Sequence, residues 1–322
     1  MTLAAASGPP SARSRSADRH LKADPCFVIV PADPFPALRA TFPHEMEKGE
    51  EREERTWQAM SLPFSFFSLF GDIMNVLLLL KAVADSEAAI KPAADGKSVA
   101  LDGISLILNP YDEYAVEEGL KLRDADGAGE VAAVSFGGDD VPKVLRTALA
   151  MGVDRAVHIK GQASFDALAT AKVIAEVVKG MTYDLILCGK QAIDQDNAGV
   201  GVMVAELLDI PSISVVTKLD RADGKVICER EVEGGVEVVE SPLPCLIACQ
   251  KGLNEPRYAS LKGIMAAKKK PLDEVAATAV DAQIEVMSIE SRPPRKPGEI
   301  VGKGVEAVPV LIKKLREEAK VL

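Results

Sequence analysis

The residues best suited to chemistry lie between Gly189 and Asp196, GKQAIDQD, directly after the buried-strand pattern Tyr183 to Cys188 and before the helix-like run Asn197 to Leu208. A strand that ends in a glycine turn and feeds a helix gathers unpaired backbone N–H groups at one spot, where the positive end of the helix dipole also points. Such a spot seats a phosphate, so a nucleotide site is the first expectation, with an ordinary turn of an αβ protein as the alternative. Asp194 and Asp196 repel a phosphate rather than bind it. Asp196 is therefore assigned as the cap of the following helix and Asp194 to sugar or backbone bonding, against a reading of both as ordinary turn aspartates. The GVGVM run, Gly199 to Met203, places GxG inside the helix rather than between strand and helix, which is weak evidence for a dinucleotide fingerprint; GKQAID is likewise not GxxxxGK[ST].

Other catalytic material is scarce. The only histidines are His20, His44 and His158, which leaves a Ser/His/Asp arrangement or a histidine metal site almost nothing after residue 44. Cys26, Cys188, Cys228, Cys245 and Cys249 form no CxxC pair, and an odd count without metal spacing points to buried thiols in a reducing compartment. A net charge of -10 argues against a nucleic-acid surface, which needs a dominant basic face. With 322 residues, 48% hydrophobic and 27% charged, the chain is globular and long enough for one large or two small cores.

The elements that must position the loop begin at Met74. A strand pattern over Val76 to Val83 is followed by a helix opened by Asn109-Pro110, with Asp112 and Glu113 in its first turn and an apolar side of Ala115, Val116, Gly119, Leu120 and Leu122. Then come a strand Val131 to Ser135, a helix Asp139 to Ala150, a strand Ala156 to Ile159, a helix Phe165 to Val178, the strand Leu185 to Cys188 and the helix from Asn197. Near-continuous apolar strands between amphipathic helices predict an α/β fold, a mainly parallel doubly wound sheet of Rossmann-like type covered on both faces. Ligands of such sheets bind beyond the carboxyl ends of the strands, which selects the loops after Val83, at Asn109, after Ser135 and at Gly189. After Pro211 the pattern turns β-rich, over Ser212 to Leu219, Lys225 to Val232, Val236 to Val239 and Leu246 to Cys249, with hairpin signals at Ala222-Asp223-Gly224 and Gly234-Gly235.

Regular structure then gives out over Gly252 to Pro271, whose apolar Leu261, Ile264 and Met265 and whose Lys268 to Lys270 run suit an exposed partner-docking loop. Pro293 to Pro297 marks an extended linker, and Val305 to Leu322 reads as a terminal amphipathic helix that packs on another chain or folds back on its own domain. The first 73 residues differ from all this. They hold the only Trp, seven of the nine Phe and eight of the twenty Pro, plus a charge block, Glu45 to Arg55, with no apolar face. They are expected to be disordered or accessory, an added tail or a mis-assigned start, with Met74 the working start of the folded protein. Residues 1 to 22 resemble a transit peptide in composition, though compositional accident accounts for them better given the acidic stretch that follows. The apolar run Leu62 to Leu80 approaches membrane-spanning length but is broken by Gly71 and Asp72, so no stable membrane insertion is expected. The division is thus 1–73 extension, 74–270 nucleotide-binding domain with docking loop 252–271, and 271–322 C-terminal arm.

NPYDEYAVEE (Asn109 to Glu118), RTALAMGVDRA (Arg146 to Ala156), CGKQAIDQD (Cys188 to Asp196), REVEGGVEVVESPLPCLIA (Arg230 to Ala248) and LNEPRYASLKGIMAAKKKP (Leu253 to Pro271) together resemble the β subunit of electron transfer flavoprotein. The resemblance runs in register from Met74 to the C-terminus. It implies a non-enzymatic subunit of an αβ heterodimer in which one FAD, held mostly by the α subunit, takes electrons from acyl-CoA and related dehydrogenases of fatty acid oxidation. Those electrons pass on to electron transfer flavoprotein-quinone oxidoreductase. It implies AMP buried at the strand-end loops, touching Leu79, Asn109, Pro110, Tyr111, Asp112, Phe136, Gly189, Lys190, Gln191, Ala192, Ile193, Asp194, Gln195, Asp196, Asn197, Ala198, Gly199 and Val200. Leu261 falls at the docking leucine, flanked by Ile264 and Met265, with Lys268 and Lys269 placed to steer acidic partners, and the C-terminal arm wraps the α chain. The implied compartment is the cytoplasm of a bacterium or the mitochondrial matrix of a eukaryote. Ser86 stands where some members carry a tyrosine near the flavin, and Gly199-Val200 replaces a Gln or Gln-Val pair. In electron-bifurcating members the β site holds a second FAD reduced by NADH; this chain lacks their DGDTAQVG loop, so AMP is expected.

Overall fold

A computed structural model describes residues 73–162, 166–222, 224–291, 293 and 297–322. The expectations for the N-terminal extension up to residue 72, for Phe165, for Asp223 and for most of the RPPRKPG stretch lie outside the described residues. In chain order the elements are β1 (Val76–Leu79), β2 (Ala82–Ala84), β3 (Lys91–Pro92), β4 (Val99–Ala100), β5 (Leu106–Leu108), α1 (Pro110–Asp126), β6 (Val131–Gly137), α2 (Val141–Met151), β7 (Arg155–Lys160), α3 (Ala167–Val178), β8 (Leu185–Gly189) and α4 (Val200–Leu207). There follow β9 (Ser212–Ala222), β10 (Lys225–Val232), β11 (Gly235–Pro242), β12 (Cys245–Cys249), α5 (Leu261–Ala267), β13 (Leu272–Ala276) and α6 (Val308–Glu317). The chain divides into two compact units; among the described residues the first comprises residues up to Ala88 and Gly103–Glu285 and the second Ala89–Asp102 and Val286–Leu322.

The first unit is built on one sheet in the order β11-β10-β9-β12-β8-β1-β6-β7-β13. All pairs from β9 to β13 are parallel, and β10 and β11 add an antiparallel edge. Residues alternate sides along each strand. Val76 and Leu78 of β1, Val131 and Ala133 of β6 and Leu185 and Leu187 of β8 pack with Ala115, Val116 and Leu120 of α1 and Val144 and Leu145 of α2. Leu77, Leu79, Ala132, Val134, Ile186 and Cys188 face the other way, onto Ala171, Val173 and Ile174 of α3 and Val204 and Ala205 of α4. The strands read as unbroken apolar runs because both faces are covered, which is the α/β doubly wound arrangement the sequence predicts. Each fully buried leucine among them is worth about 1.5–3 kcal/mol. The chain passes from β1 to β6 and β7 on one side, then returns to β8 on the other. This reversal puts a topological switch point at the carboxyl ends of β1 and β8.

Several elements differ from the sequence reading. The strand expected over Val76 to Val83 is two: β1 stops at Leu79, and β2 pairs antiparallel with β5 in a separate ribbon. The break falls at Lys81, whose N–H turns to Asp112 Oδ2 at 2.7 Å instead of continuing the ladder. The helix expected from Asn197 starts at Val200 and the one expected from Asp139 at Val141. Where regular structure was expected to end, Leu261–Ala267 forms α5, capped by Ser260, whose hydroxyl accepts from Gly263 N at 3.0 Å. Leu272–Ala276 joins the sheet as a parallel partner of β7, so sheet structure continues past residue 271, where the sequence places the start of the arm. The expected terminal helix is a 3₁₀ turn, Val305–Ala307, followed by α6.

In the second unit β3 and β4 pair antiparallel around a turn closed by Asp95, whose Oδ1 accepts from the N–H groups of Lys97 and Ser98 at 2.9 Å each. Val308, Val310, Leu311 and Ile312 of α6 are each more than a third exposed.

Candidate functional site

At the switch point the turn Gly189–Gly199 is laced to the start of α1. Asn109 precedes that helix without capping it. Its side chain reaches the turn instead: Nδ2 donates to Gln191 O at 2.9 Å and to Asp112 Oδ1 at 2.9 Å, and Oδ1 accepts from Ile193 N at 3.2 Å. Asp112, 4% exposed, joins three elements, since its Oδ1 also accepts from Gly189 N at 3.0 Å and its Oδ2 from Lys81 N. Burial pushes its pKa up to about 7, against the lowering pull of Asn109, of the Lys81 and Gly189 amides and of the Lys81 charge. The approach of β8 to α1 explains Gly189. Its backbone is not left-handed, but a Cβ there would collide with Asp112 Oδ1 and lie 2.7 Å from the Tyr111 carbonyl carbon and Cβ. Close packing, not the sharp turn the sequence suggested, requires the glycine.

The rest of the turn is held from its own side. Lys190 N donates to Cys249 O at 2.9 Å, and its ammonium sits 5.2 Å from the centroid of the Tyr111 ring. Lys81 Nζ, reaching from the end of β1, pairs with Asp194 at 2.7 Å, so Asp194 bonds a cation rather than the backbone. Asp196 does not cap α4: its Oδ1 accepts from Gln191 Nε2 at 2.7 Å, and the residue before the helix is Gly199, with no side-chain cap. Asp196 and Ala198 adopt left-handed φ values of 53° and 50°, which for alanine costs about 1–2 kcal/mol. The result is a row of donors: the N–H groups of Asn197, Ala198, Val200, Gly201 and Val202 find no acceptor among the described residues. Gly201 lets α4 settle on the sheet, since a Cβ there would lie 2.7 Å from Cys188 Sγ.

Of the remaining residues singled out from the sequence, Leu79 ends β1 and Phe136 lies near the end of the neighbouring β6, both on the α3–α4 side of the sheet. Pro110 occupies the first turn of α1, Val200 opens α4, and Asn197 Oδ1 accepts from Gly199 N at 3.4 Å. Ala192 and Gln195 complete the turn; Ala192 O accepts from Asp196 N at 2.9 Å. Lys81 was missed in the sequence, although a lone lysine directly after an apolar strand at a carboxyl edge is the available signal.

The docking candidates lie elsewhere. α5 packs on α2 through Ala267, 2% exposed, and through Gly263, where a Cβ would collide with Ala150 O. Its other side leaves Leu261 85%, Met265 65% and Ile264 45% exposed, next to Tyr258 at 98%. Lys268 and Lys269 are exposed, whereas Lys270 turns inward, donating to Leu149 O at 3.1 Å and Val153 O at 2.6 Å at the end of α2. Burial lowers its pKa. α2 runs against the strands, so this patch belongs to their amino edge, opposite the Gly189 turn.

Cys188, Cys228, Cys245 and Cys249 are buried free thiols. Burial pushes Cys228 up to about 12 and Cys245 up to about 11, and raises Cys188 and Cys249 as well, so none is a ready nucleophile at neutral pH. Among the described residues no three His, Cys, Asp or Glu side chains group as metal ligands, and no helix is long and apolar enough to cross a membrane.

Residues 98–280, which include both the Asn109 and Gly189 loops and the Leu261 segment, match the family model described as the electron transfer flavoprotein domain. The chain is similar to the electron transfer flavoprotein subunit beta of Syntrophomonas wolfei, 43% identical over 223 residues covering 69% of this chain and 87% of the relative. Against the protein of the same name from Bacillus subtilis it is 42% identical over 260 residues, 77% of this chain and all of the relative. Against that of Sus scrofa it is 37% identical over 256 residues, 77% and 99% of the two. The matched span, the parallel doubly wound sheet and the loops brought together at its switch point agree, and the chain belongs to the electron transfer flavoprotein family, as a β-subunit-type member.

Proposed function

We propose that this chain is the electron-carrier β subunit of a heterodimeric electron transfer flavoprotein. It pairs with an α subunit, holds AMP at the β1–β8 switch point and docks on acyl-CoA-type dehydrogenases through the apolar residues around Leu261. FAD, shared with the α subunit, would supply the redox chemistry when bound, with the quinone oxidoreductase as the downstream acceptor. The chain's own residues bind, orient and dock.

The observation that carries the nucleotide reading is the row of unpaired amides of Asn197, Ala198, Val200, Gly201 and Val202 at the uncapped start of α4. Fixed backbone donors at a helix N-terminus suit a phosphate. Both acids of the turn are engaged, Asp194 by Lys81 and Asp196 by Gln191, so the turn can carry acids and still accept an anion. The 197–202 amides would hold the phosphate, and Leu79, Phe136 and the 109–112 turn the adenosine. The docking reading rests on Leu261 and Tyr258, large apolar side chains exposed beside Lys262, Lys268 and Lys269 on a chain of net charge -10.

Co-expression with the α subunit followed by extraction of bound nucleotides tests the assignment. One FAD and one AMP per heterodimer are expected; two FAD would make the chain the bifurcating type, and a stable monomer without flavin would overturn both. Leu261→Ala is expected to weaken docking by roughly 10- to 100-fold, as loss of a buried leucine anchor does, with flavin content and folding unchanged. Loss of the flavin instead would give Leu261 a structural role.

A further inference from the structure

The segment carrying Leu261 is held at both ends by side chains to which the nucleotide and docking readings assign no role. At its far end Arg146 donates to Ala267 O and, at 2.8 Å, to Lys270 O, fixing the end of α5 to α2. At its near end Arg257 forks onto Glu117 of α1. Nε meets Oε2 at 2.8 Å, NH2 meets Oε1 at 3.0 Å, and the Arg257 backbone N–H donates to the same Oε2 at 3.0 Å. The third guanidinium nitrogen reaches Asp124 at 3.1 Å. Three residues earlier Asn254 repeats the attachment, donating to Glu118 Oε2 at 2.8 Å and Tyr114 O at 3.0 Å.

Burial says how firm this attachment is. The Glu117 side chain is 8% exposed and Arg257 is the partner its ion pair engages. Removing one member of such a pair leaves a buried charge unmatched, whereas an apolar pair in its place is about as stable. Overall stability alone therefore does not call for it. What the fork adds is direction: two parallel N–H···O bonds and a backbone bond set the path of the chain four residues before Leu261. Fixing a loose segment at the moment of docking costs backbone entropy. A segment tied at both ends has already met that cost.

We propose that Glu117 and Arg257 are positioning residues for partner docking, holding the chain from α1 so that Leu261 is presented in a pre-set orientation. The inference rests on the docking reading above. Its test uses the heterodimer with the α subunit and an acyl-CoA dehydrogenase as electron donor, with carrier concentration varied. Glu117→Gln and Arg257→Lys are each expected to raise the apparent KM for the carrier about tenfold, with kcat and flavin content kept. Amide hydrogen exchange at residues 258–266 should accelerate in both. The paired Glu117→Met, Arg257→Met variant removes the fork without leaving an orphaned charge, so it tests the idea even if a single variant folds poorly. The same KM increase is expected there. Added to Leu261→Ala, either single change should cost little more, since both act through one side chain.

An increase with Arg257→Lys but none with Glu117→Gln would mean that Arg257 touches the dehydrogenase itself, and the proposal falls. Full additivity with Leu261→Ala overturns it as well. Normal KM values for the Glu117 and Arg257 variants beside a raised one for Leu261→Ala remove the positioning role and leave docking intact. A normal KM for Leu261→Ala removes both.

Discussion

Asp112→Asn exposes how the carboxyl end of the sheet is fastened. The carboxylate accepts from Lys81 just past β1, Asn109 just before α1 and Gly189 at the end of β8 while 4% exposed, and burial raises its pKa from 3.8 to about 7. Between those values the folded chain keeps a proton that the unfolded chain has released. The stability this group contributes is therefore fully present below pH 3.8 and is lost as pH rises through about 7. At about 1.4 kcal/mol per pH unit over roughly three units, less the rounded edges of the titration, the loss from about pH 4.5 to about pH 8 is about 3 kcal/mol. Asparagine does not titrate. Its NH₂ also faces at least one of the donors, a pH-independent cost of about 1–3 kcal/mol. Urea unfolding of both proteins at the two pH values measures the effect, and titrating groups away from Asp112 cancel in the comparison. The advantage of the wild type over the variant should shrink by about 3 kcal/mol on going to the higher pH. An advantage that stays constant, or grows, would show that Asp112 is ionised throughout and refute the argument from burial.

Three further outcomes follow from the same contacts. Gly189→Ala should lose about 1–3 kcal/mol of stability and reduce the AMP that co-purifies, because the new Cβ meets the first turn of α1 rather than a flexible side-chain tip; unchanged melting with full nucleotide content would contradict it. Asn109→Ala removes all three of the Asn109 side-chain bonds, two of them to the Gly189 turn, and should weaken AMP about tenfold in calorimetric titration. Equal affinity would mean that the turn holds its shape without Asn109. Native protein at about pH 8 should leave Cys188, Cys228, Cys245 and Cys249 unlabelled by a thiol reagent, since burial raises all four; peptide mapping that finds any of them modified before unfolding would overturn their assignment as buried thiols.

Legibility in the sequence followed locality. The parallel strands could be read because five-residue apolar runs such as Leu185–Gly189 and Cys245–Cys249 announce a sheet covered on both faces. The site's place, at the carboxyl ends where the strand order reverses, followed from that alone. The details that depend on distant partners could not be read. Asp196 is the local exception: its side chain bonds Gln191, five positions back, rather than the start of α4. Lys81 and Asp194 are 113 positions apart and become a pair only when β1 and α4's approach turn meet at one edge. α5 hid because seven residues with an exposed apolar face give too short a period to register. β13 hid because Leu272–Ala276 is a mostly exposed edge strand, half of whose character comes from its pairing with β7.

The two ends of the first unit meet in α1. Asn109, just before it, and Asp112 in its first turn meet the Gly189 loop, and its middle and last turns carry Glu117 and Asp124 against Arg257. Seventeen residues of helix span about 25 Å, enough to run from the carboxyl edge of the sheet to the amino edge. Buried contacts anchor it between, with Ala115, Val116 and Leu120 fully enclosed and Gly119 set close against Val76 and Leu78. A helix so placed transmits position rather than chemistry. On the proposed reading, a nucleotide at the amides of Asn197 to Val202 would brace the turn laced to α1, and α1 holds the chain leading to Leu261 through Glu117 and Asp124. On that reading a nucleotide would matter for docking without touching the dehydrogenase, by stabilising the element on which the docking segment is hung.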